Sequence, residues 1–448
     1  MSELRPEAET RRFGRTASLL SAGVAASGLL TYLFFSLASH NLDKTAYGEI
    51  VVLWSAVFVT ISVAHRPVEQ MLSRTIAERR ARNEEIGSAL RVGIAIQLAV
   101  AVLLGIVALA LRDQLQDGLL GSETLYWVLL FSVVTFGVSY YARGVLAGTR
   151  RFALLAALLV CESAARTAFA LAVALGIAEG QSAIALGVAA APAFSLAAIP
   201  AGLLLVRRRG RAPDSSPAPV TVAAGGSFAA AVLVVMMSEQ AFLNAGPLLV
   251  RAFEDAAAAG FIFNVLMVAR APVLVFQGVA TSLLPHLTRL RARDDGGEDA
   301  FHHSIRTTLV GVAAFATATL VIVAAAGPAA MQIAFGDEFE YDRLGLMIVA
   351  AAMGFYLAAT TLSQAALAHG AAGRAARCWG ASAALFLGWC LLPVIADEAR
   401  RVEVGFLGGA ALLAGLLAYV YRSLPTDGID PDSPEEIEAR LAAADEAG

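Results

Sequence analysis

Residues 89–111 read ALRVGIAIQLAVAVLLGIVALAL, and Arg91, near the start, is the only ionisable side chain in the run. A helix needs about 20 mainly apolar residues to cross the hydrocarbon core of a bilayer, and this stretch supplies them without a polar face. Length rather than periodicity carries that reading. Eleven further stretches have the same character: 17–38, 47–66, 124–142, 152–176, 183–206, 225–247, 259–284, 306–326, 344–368, 375–395 and 403–421. Twelve spans fill most of a 448-residue chain.

The composition agrees. Apolar residues make up 58% of the chain, charged residues only 16%, and the mean hydropathy is +0.68. A soluble domain carries roughly 25% charged residues to cover its wet surface, so an ordinary set of soluble domains is excluded. The net charge of −4 hides an uneven distribution. Residues 424–448 hold eight acids and one Arg, leaving 32 bases against 29 acids in the body. No basic domain stands apart to bind nucleic acid. Cationic residues are almost all Arg, with Lys44 the one lysine, which together with heavy Ala use points to a high-GC bacterial source.

Placing the N-terminus inside puts 24 cationic residues on the cytoplasmic side, from Arg5 through Arg66, Arg143 and Arg207–Arg209 to Arg440. Six fall outside (Lys44, Arg112, Arg251, Arg343, Arg400, Arg401), and Arg91, Arg166 and Arg270 lie within spans. This positive-inside bias predicts a multi-pass protein of the bacterial plasma membrane with both termini cytoplasmic. Tyr126 and Trp127 mark an outer interface; Tyr140, Tyr141, Trp379, Tyr419 and Tyr421 mark inner ones. The Arg11-Arg12 pair is read as a charge anchor for the first span, because no small-residue cleavage site follows.

The polar, Pro-rich run RRRGRAPDSSPAPVT at 207–221 divides the spans six and six. The expected organisation is a bundle at 1–206, a cytoplasmic linker at 207–222, a second bundle at 223–423 and an acidic cytoplasmic tail at 424–448. Ala46-Tyr47-Gly48 and Ala258-Ala259-Gly260 open spans two and eight, and the pairs Gly48/Gly260 and Arg79/Arg291 share an offset of 212. Six spans per half keep both halves in one orientation, so a parallel repeat about the membrane normal is expected.

Sequence motifs of soluble enzymes are missing: no GxxxxGK[ST], no HExxH, and no GxSxG between a strand and a helix. The chain is therefore read as neither an enzyme nor an ATP-driven pump. Cys161, Cys378 and Cys390 have no metal-ligand spacing and are read as buried hydrophobes.

Ionisable groups at membrane depth point to function, since each is costly there unless paired or hydrated. Glu162 and Arg166 share one face of span five, roughly 15 and 21 Å from its cytoplasmic start. They form either a self-neutralising pair or a cationic cavity contact steadied by the Glu. Arg270 in span eight has no acid within a helical turn, and should face water, substrate or an acid on another helix. Pro272 could kink that span. Arg66 closes span two, where it either snorkels to headgroups or grips an anionic headgroup through bidentate phosphate contacts. Gln277 is polar without being specific. In span seven, Glu239 accompanies Gln240 and Asn244; it carries a coupling H⁺ or Na⁺, or is salt-bridged. Gly144 and Gly148, with Arg150-Arg151, are read as loop residues joining spans four and five.

These residues also carry a resemblance. Tyr32-Leu33-Phe34-Phe35, Ala46-Tyr47-Gly48 and Val68-Glu69-Gln70 followed by Ser73-Arg74 resemble segments of bacterial polysaccharide, or O-antigen type, flippases. So do Arg143-Gly144-Val145-Leu146-Ala147-Gly148, Asn244-Ala245-Gly246-Pro247-Leu248-Leu249 and Phe335-Gly336-Asp337-Glu338-Phe339. That family belongs to the multidrug and oligosaccharidyl-lipid exporter superfamily (MATE-like), and the likeness spans nearly the whole hydrophobic body. It implies two six-helix bundles around a central cavity and transfer of a polyprenyl-diphosphate-linked glycan to the outer leaflet by alternating access. Arg66, Arg166 and Arg270 are the expected headgroup contacts, with Glu162 and Gln277 beside them and Glu239 and Asn244 for ion coupling. No cofactor is implied beyond a coupling ion, and the expected partners are the lipid-linked glycan, membrane lipids and a polysaccharide polymerase or glycosyltransferases. Multidrug exporters of the superfamily use an acid in span one, whereas residues 17–38 contain no Asp or Glu. An ion-coupled drug exporter and a non-transporting scaffold for glycan assembly are the alternatives.

Overall fold

A computed structural model of the chain describes residues 4–82, 84–197, 223–268, 270 and 297–423. Among these residues all regular structure is helical. In chain order the helices are α1 (Leu4–Asn41), α2 (Lys44–Ala64), α3 (Arg66–Ala81), α4 (Gly87–Ala110), α5 (Glu123–Gly148), α6 (Phe152–Ala174) and α7 (Gly180–Ala197). There follow α8 (Ala223–Phe253), α9 (Ala256–Val268), α10 (Gly297–Phe335), α11 (Arg343–Ala368), α12 (Ala372–Leu391) and α13 (Glu398–Arg422). A single π-helical turn, Gln114–Leu120, joins α4 to α5.

In its described part each of the twelve apolar stretches overlaps a helix, and among the described residues nine helices are long and apolar enough to cross a membrane. Short polar residues start several of them. Asp43, Asp255, Asp342 and Asp397 each accept a hydrogen bond from a backbone N–H of the first turn that would otherwise lack a partner. Gly336, with φ of 99°, provides the left-handed residue that ends α10.

The surface is apolar where a soluble protein's would be charged. Leu98, Val102, Leu103 and Ile106 on α4, and Val310, Val321 and Ile322 on α10, are all exposed. Exposed apolar side chains in this number, on helices long enough to span a bilayer, fit a lipid-facing surface.

Several expectations are corrected. Span two does not stop at Arg66: α2 ends at Ala64 and, after one residue, α3 runs on to Ala81. Pro67 follows the break; it has no N–H to offer the preceding turn, which explains the interruption. Span four runs to Gly148, so Gly144 and Gly148 are helical packing residues rather than loop residues. A Cβ on Gly144 would lie 2.9 Å from the Glu69 carbonyl oxygen, and one on Gly148 would lie 2.7 Å from that of Ser73. The small-xxx-small spacing lets α5 touch the backbone of α3. Tyr140 and Trp379 are buried among helices instead of lining an interface. The linker 207–222, the tail 424–448, and Pro272 and Gln277 in span eight lie outside the described residues.

The chain divides into two compact units, Met1–Ala218 with Glu254–Gly260, and Pro219–Phe253 with Phe261–Gly448. In the first, α6 packs between α1 and α7, and α5 lies against α3 and α7. Phe34, Phe35, Trp54, Phe58 and Phe136 form its aromatic core. The two motif glycines meet there: a Cβ on Gly260 would lie 3.2 Å from the Cα of Gly48. In the second unit α11 packs on α10 and α13, and α12 on α8 and α13. Phe242, Tyr356, Trp379, Phe386 and Phe406 make a second aromatic core.

Candidate functional site

Helix α6 is apolar except for one stripe, where Glu162, Ser163, Arg166 and Thr167 fall on the face turned towards α1 and α5. All four are buried. Their hydrogen bonds account for most of their polar atoms. Thr167 Oγ1 donates to the Leu30 carbonyl of α1 at 2.9 Å, and Ser163 and Ser27 share a hydroxyl contact at 2.5 Å.

Glu162 is not neutralised by Arg166, as its sequence spacing allows. Its Oε2 accepts from Arg143 Nη2 at 2.7 Å and from Ser139 Oγ at 3.1 Å. Arg143, counted from sequence among the cytoplasmic-side cations, projects from α5 and is buried, with its guanidinium 4.5 Å from the centroid of the Tyr140 ring. A bidentate-capable Arg on a carboxylate in low dielectric is a strong interaction once both ions are desolvated.

That pairing leaves Arg166 with no ion pair of its own among the described residues, although the charge of Glu162 still acts on it. Its guanidinium lies over the Trp54 ring at 4.5 Å and 5.9 Å from that of Phe34, and its one hydrogen bond is from Nη2 to Ser163 Oγ at 3.3 Å. Only 2% of the residue is exposed, and Nε and Nη1 have no hydrogen-bond partner among the described residues. Aromatic faces attract a cation but accept no N–H bond as strongly as an oxyanion does. Arg66 and Glu69 lie close enough to act electrostatically on the same cluster. Three guanidinium groups against two carboxylates leave one positive charge in excess.

The second unit treats the other candidates differently. Asn244 is buried and donates from Nδ2 to Gln240 Oε1 at 2.8 Å; Glu239, one position round the helix, is half-buried. Arg270 is half-buried at the end of α9. Gln277 lies outside the described residues. Thus Arg66, Glu162 and Arg166 are brought together in one unit, with Arg143, Ser139, Tyr140 and Trp54 added by the structure. The added residues had a signal in the sequence: Ser139 and Arg143, four apart on α5, mirror Glu162 and Arg166 on the helix that follows.

A second charged cluster was missed. Arg400 and Arg401, assigned from sequence to an outer loop, lie in the first turn of α13. Arg400 bridges Asp342 at 2.7 Å and Glu403 at 2.8 Å, while Arg401 is buried against Glu398 at 3.0 Å and donates to the carbonyl of Ile395. Beside them the Tyr341 phenol is held above its ordinary value, first by burial and then by the charge of Glu403. All its bases are paired with acids, so this cluster ties helix ends together. Among the described residues no group of three His, Cys, Asp or Glu could hold a metal ion.

The fold and the buried charges define an α-helical, multi-pass membrane protein. No protein-family model and no curated protein sequence matches the chain. Solved structures do resemble it. An inward-facing multidrug resistance MATE family transporter of the MOP superfamily superposes with a TM-score of 0.66, 12% identity, and coverage of 88% of this chain and 94% of that one. The eukaryotic MATE transporter AtDTX14 gives 0.65 and 13% over 97% and 98% of the two chains. A mutant of the Vibrio cholerae MATE transporter VcmN gives 0.63 and 14% over 92% and 97%. The chain has the MATE transporter fold.

Proposed function

We propose that this protein is a membrane transporter that moves a polyprenyl-diphosphate-linked oligosaccharide from the cytoplasmic to the outer leaflet, for surface polysaccharide synthesis. The observation that carries the reading is the buried, incompletely bonded guanidinium of Arg166. A diphosphate supplies the oxyanions that Nε and Nη1 lack, and Arg143–Glu162 holds the surrounding helices while leaving the excess positive charge in place. The lipid tail stays in the bilayer, and movement follows alternating access between bundles at 1–206 and 223–423. Both termini are cytoplasmic in this scheme, and a polysaccharide polymerase or glycosyltransferases hand over or receive the glycan. Arg270 and Gln277 are further headgroup contacts, and Glu239 and Asn244 a coupling-ion site.

The absence of any Asp or Glu from residues 17–38 favours an anionic cargo. The likeness to a multidrug resistance transporter favours the second reading, ion-coupled export of cationic drugs. That reading needs a carboxylate open to a cation; Glu162 is already engaged by Arg143 and Ser139, so Glu239 would have to serve.

The test is to delete the gene and measure cytoplasmic-leaflet lipid-linked sugar, complementing with wild type, Arg166→Ala, Arg166→Lys, Arg270→Ala and Glu239→Gln at equal membrane levels. The flippase reading expects accumulation that wild type relieves and Arg166→Ala does not. Normal glycan in the deletion strain, with hypersensitivity to cationic dyes relieved only when Glu239 is intact, would replace it with the exporter.

A further inference from the structure

His65 is the single residue between α2 and α3, and it is fully buried. Its Nε2 donates to the Val133 carbonyl of α5 at 3.0 Å, which fixes the neutral ring with its proton on Nε2. Nδ1 then accepts, and Gln97 Nε2 of α4 donates to it at 2.5 Å. Gly137 leaves space for this contact: a Cβ there would lie 2.6 Å from Gln97 Nε2. Gln97, itself 92% buried, has a second polar atom at the site, Oε1, which has no hydrogen-bond partner among the described residues.

An amide presents either a donor or an acceptor on rotation by half a turn, and an imidazolium donates from both nitrogens. With the Gln97 amide reversed, Oε1 accepts from a protonated Nδ1 while Nε2 keeps its bond to Val133. Both ring nitrogens are therefore hydrogen-bonded in either charge state within the same frame; the reversal gives Oε1 a partner and turns the amide NH2 to the side where the oxygen had none. We propose that His65, Gln97 and the Val133 carbonyl form a proton-binding site of the first unit, switched by rotation of the Gln97 amide.

The groups facing the ring are few. Helix α4 presents Gln97; α5 presents Tyr140, with ring centroids 6.4 Å apart; α7 carries no ionisable residue; and the run continuing from His65 carries Arg66 and Glu69. Beyond Tyr140 lies the guanidinium of Arg143, which pairs with Glu162. A proton on His65 adds positive charge one aromatic ring away from the Arg143, Glu162 and Arg166 cluster proposed above to hold the anion, at the break in the α2–α3 run. By linkage, an anion in the pocket and a proton on His65 strengthen each other's binding. Use of the proton to drive transport rests on the transporter reading above; the proton site itself does not.

The experiment is a pH titration of the full chain in lipid nanodiscs, labelled with ¹⁵N-histidine, with the His65 signal assigned by its loss in His65→Asn. The expected wild-type result is a neutral Nε2–H ring that becomes imidazolium at a midpoint above about pH 5. Gln97→Leu removes the acceptor and lowers that midpoint by about one unit or more, while Gln97→Glu raises it. A merely structural contact predicts no such opposed movement. A ring that stays neutral to about pH 5 in both wild type and Gln97→Glu, or a midpoint unmoved by Gln97→Leu, overturns the proposal. Proteoliposomes under an imposed pH gradient then report coupling: gradient-driven flipping lost in His65→Asn but not the Arg166-dependent binding of the headgroup. If no variant or wild type flips the lipid, the transporter reading fails while the titration still decides the proton site.

Discussion

Arg166 and Arg143 sit one helix apart and face opposite consequences when removed. Arg143 is the counter-ion of a buried carboxylate, so Arg143→Met leaves Glu162 charged and unpaired and should cost about 3–5 kcal/mol of stability. The double variant Arg143→Met/Glu162→Met should recover most of that loss, because two apolar side chains replace a desolvated ion pair. Thermal melting in detergent measures both, and a double variant as unstable as the single one would contradict the pairing. Arg166 makes no ion pair of that kind among the described residues. Replacing it with Met removes a buried charge from aromatic surroundings, so the melting temperature should hold or rise while flipping is lost. A stable, inactive Arg166→Met separates a functional charge from a structural one; an unstable one would mean that the guanidinium supports the fold. The sequence exposed Glu162 and Arg166 through their spacing, yet spacing could not show that Glu162 turns instead to Arg143. The partner choice depends on which helix lies alongside, and that is a tertiary fact.

Helix extents were legible because a lipid solvent demands long apolar runs whatever lies next to them. Helix ends were less so. The apolar run of span four ends at Ala142, where Arg143 and then Arg150 and Arg151 follow, and charge near an interface reads as a loop. In the structure α5 continues two further turns because Arg143 finds Glu162 and the glycines find α3. This close approach has a measurable consequence. Gly148→Val places its Cβ within 2.7 Å of both the Ser73 carbonyl oxygen and the Cβ of Ile76, so α3 and α5 must separate. The expected cost is about 1–3 kcal/mol, read as a lower melting temperature. Gly87→Ala, at a helix start with open space around it, should be neutral and serves as the control. Equal melting of the two variants would show that α5 does not rely on contact with α3.

Across the chain, the cation distribution predicts an orientation, and the helix ends make it testable. Single cysteines at Asp117 and Glu338 should react with a membrane-impermeant maleimide on intact cells, whereas cysteines at Glu84 and Arg422 should react only after permeabilisation; the reverse pattern would invert the topology. The polar ends also set how stability responds to pH, through the cluster at the start of α11 and α13. Partial burial raises the Asp342 carboxyl, but the Arg400 hydrogen bond and the Gly345 N–H outweigh it and hold it below its ordinary 3.8. The folded chain thus binds that proton more weakly than the unfolded chain does. The resulting stability is fully present above the ordinary carboxylate value and is lost as pH falls through the depressed one. Tyr341 works in the opposite sense. Burial and then the Glu403 charge raise its phenol above 10.0, so the folded chain keeps the proton longer. Stability from this group is fully present below 10.0 and declines as pH rises past it towards the higher folded value. Melting temperature against pH should therefore fall away at both the acid and the alkaline end. Asp342→Asn should flatten the acid limb, and Tyr341→Phe the alkaline limb, each leaving the other unchanged. If both variants follow the wild-type curve at both ends, other groups control its pH dependence, and the Arg400 bridge contributes little to joining α11 and α13.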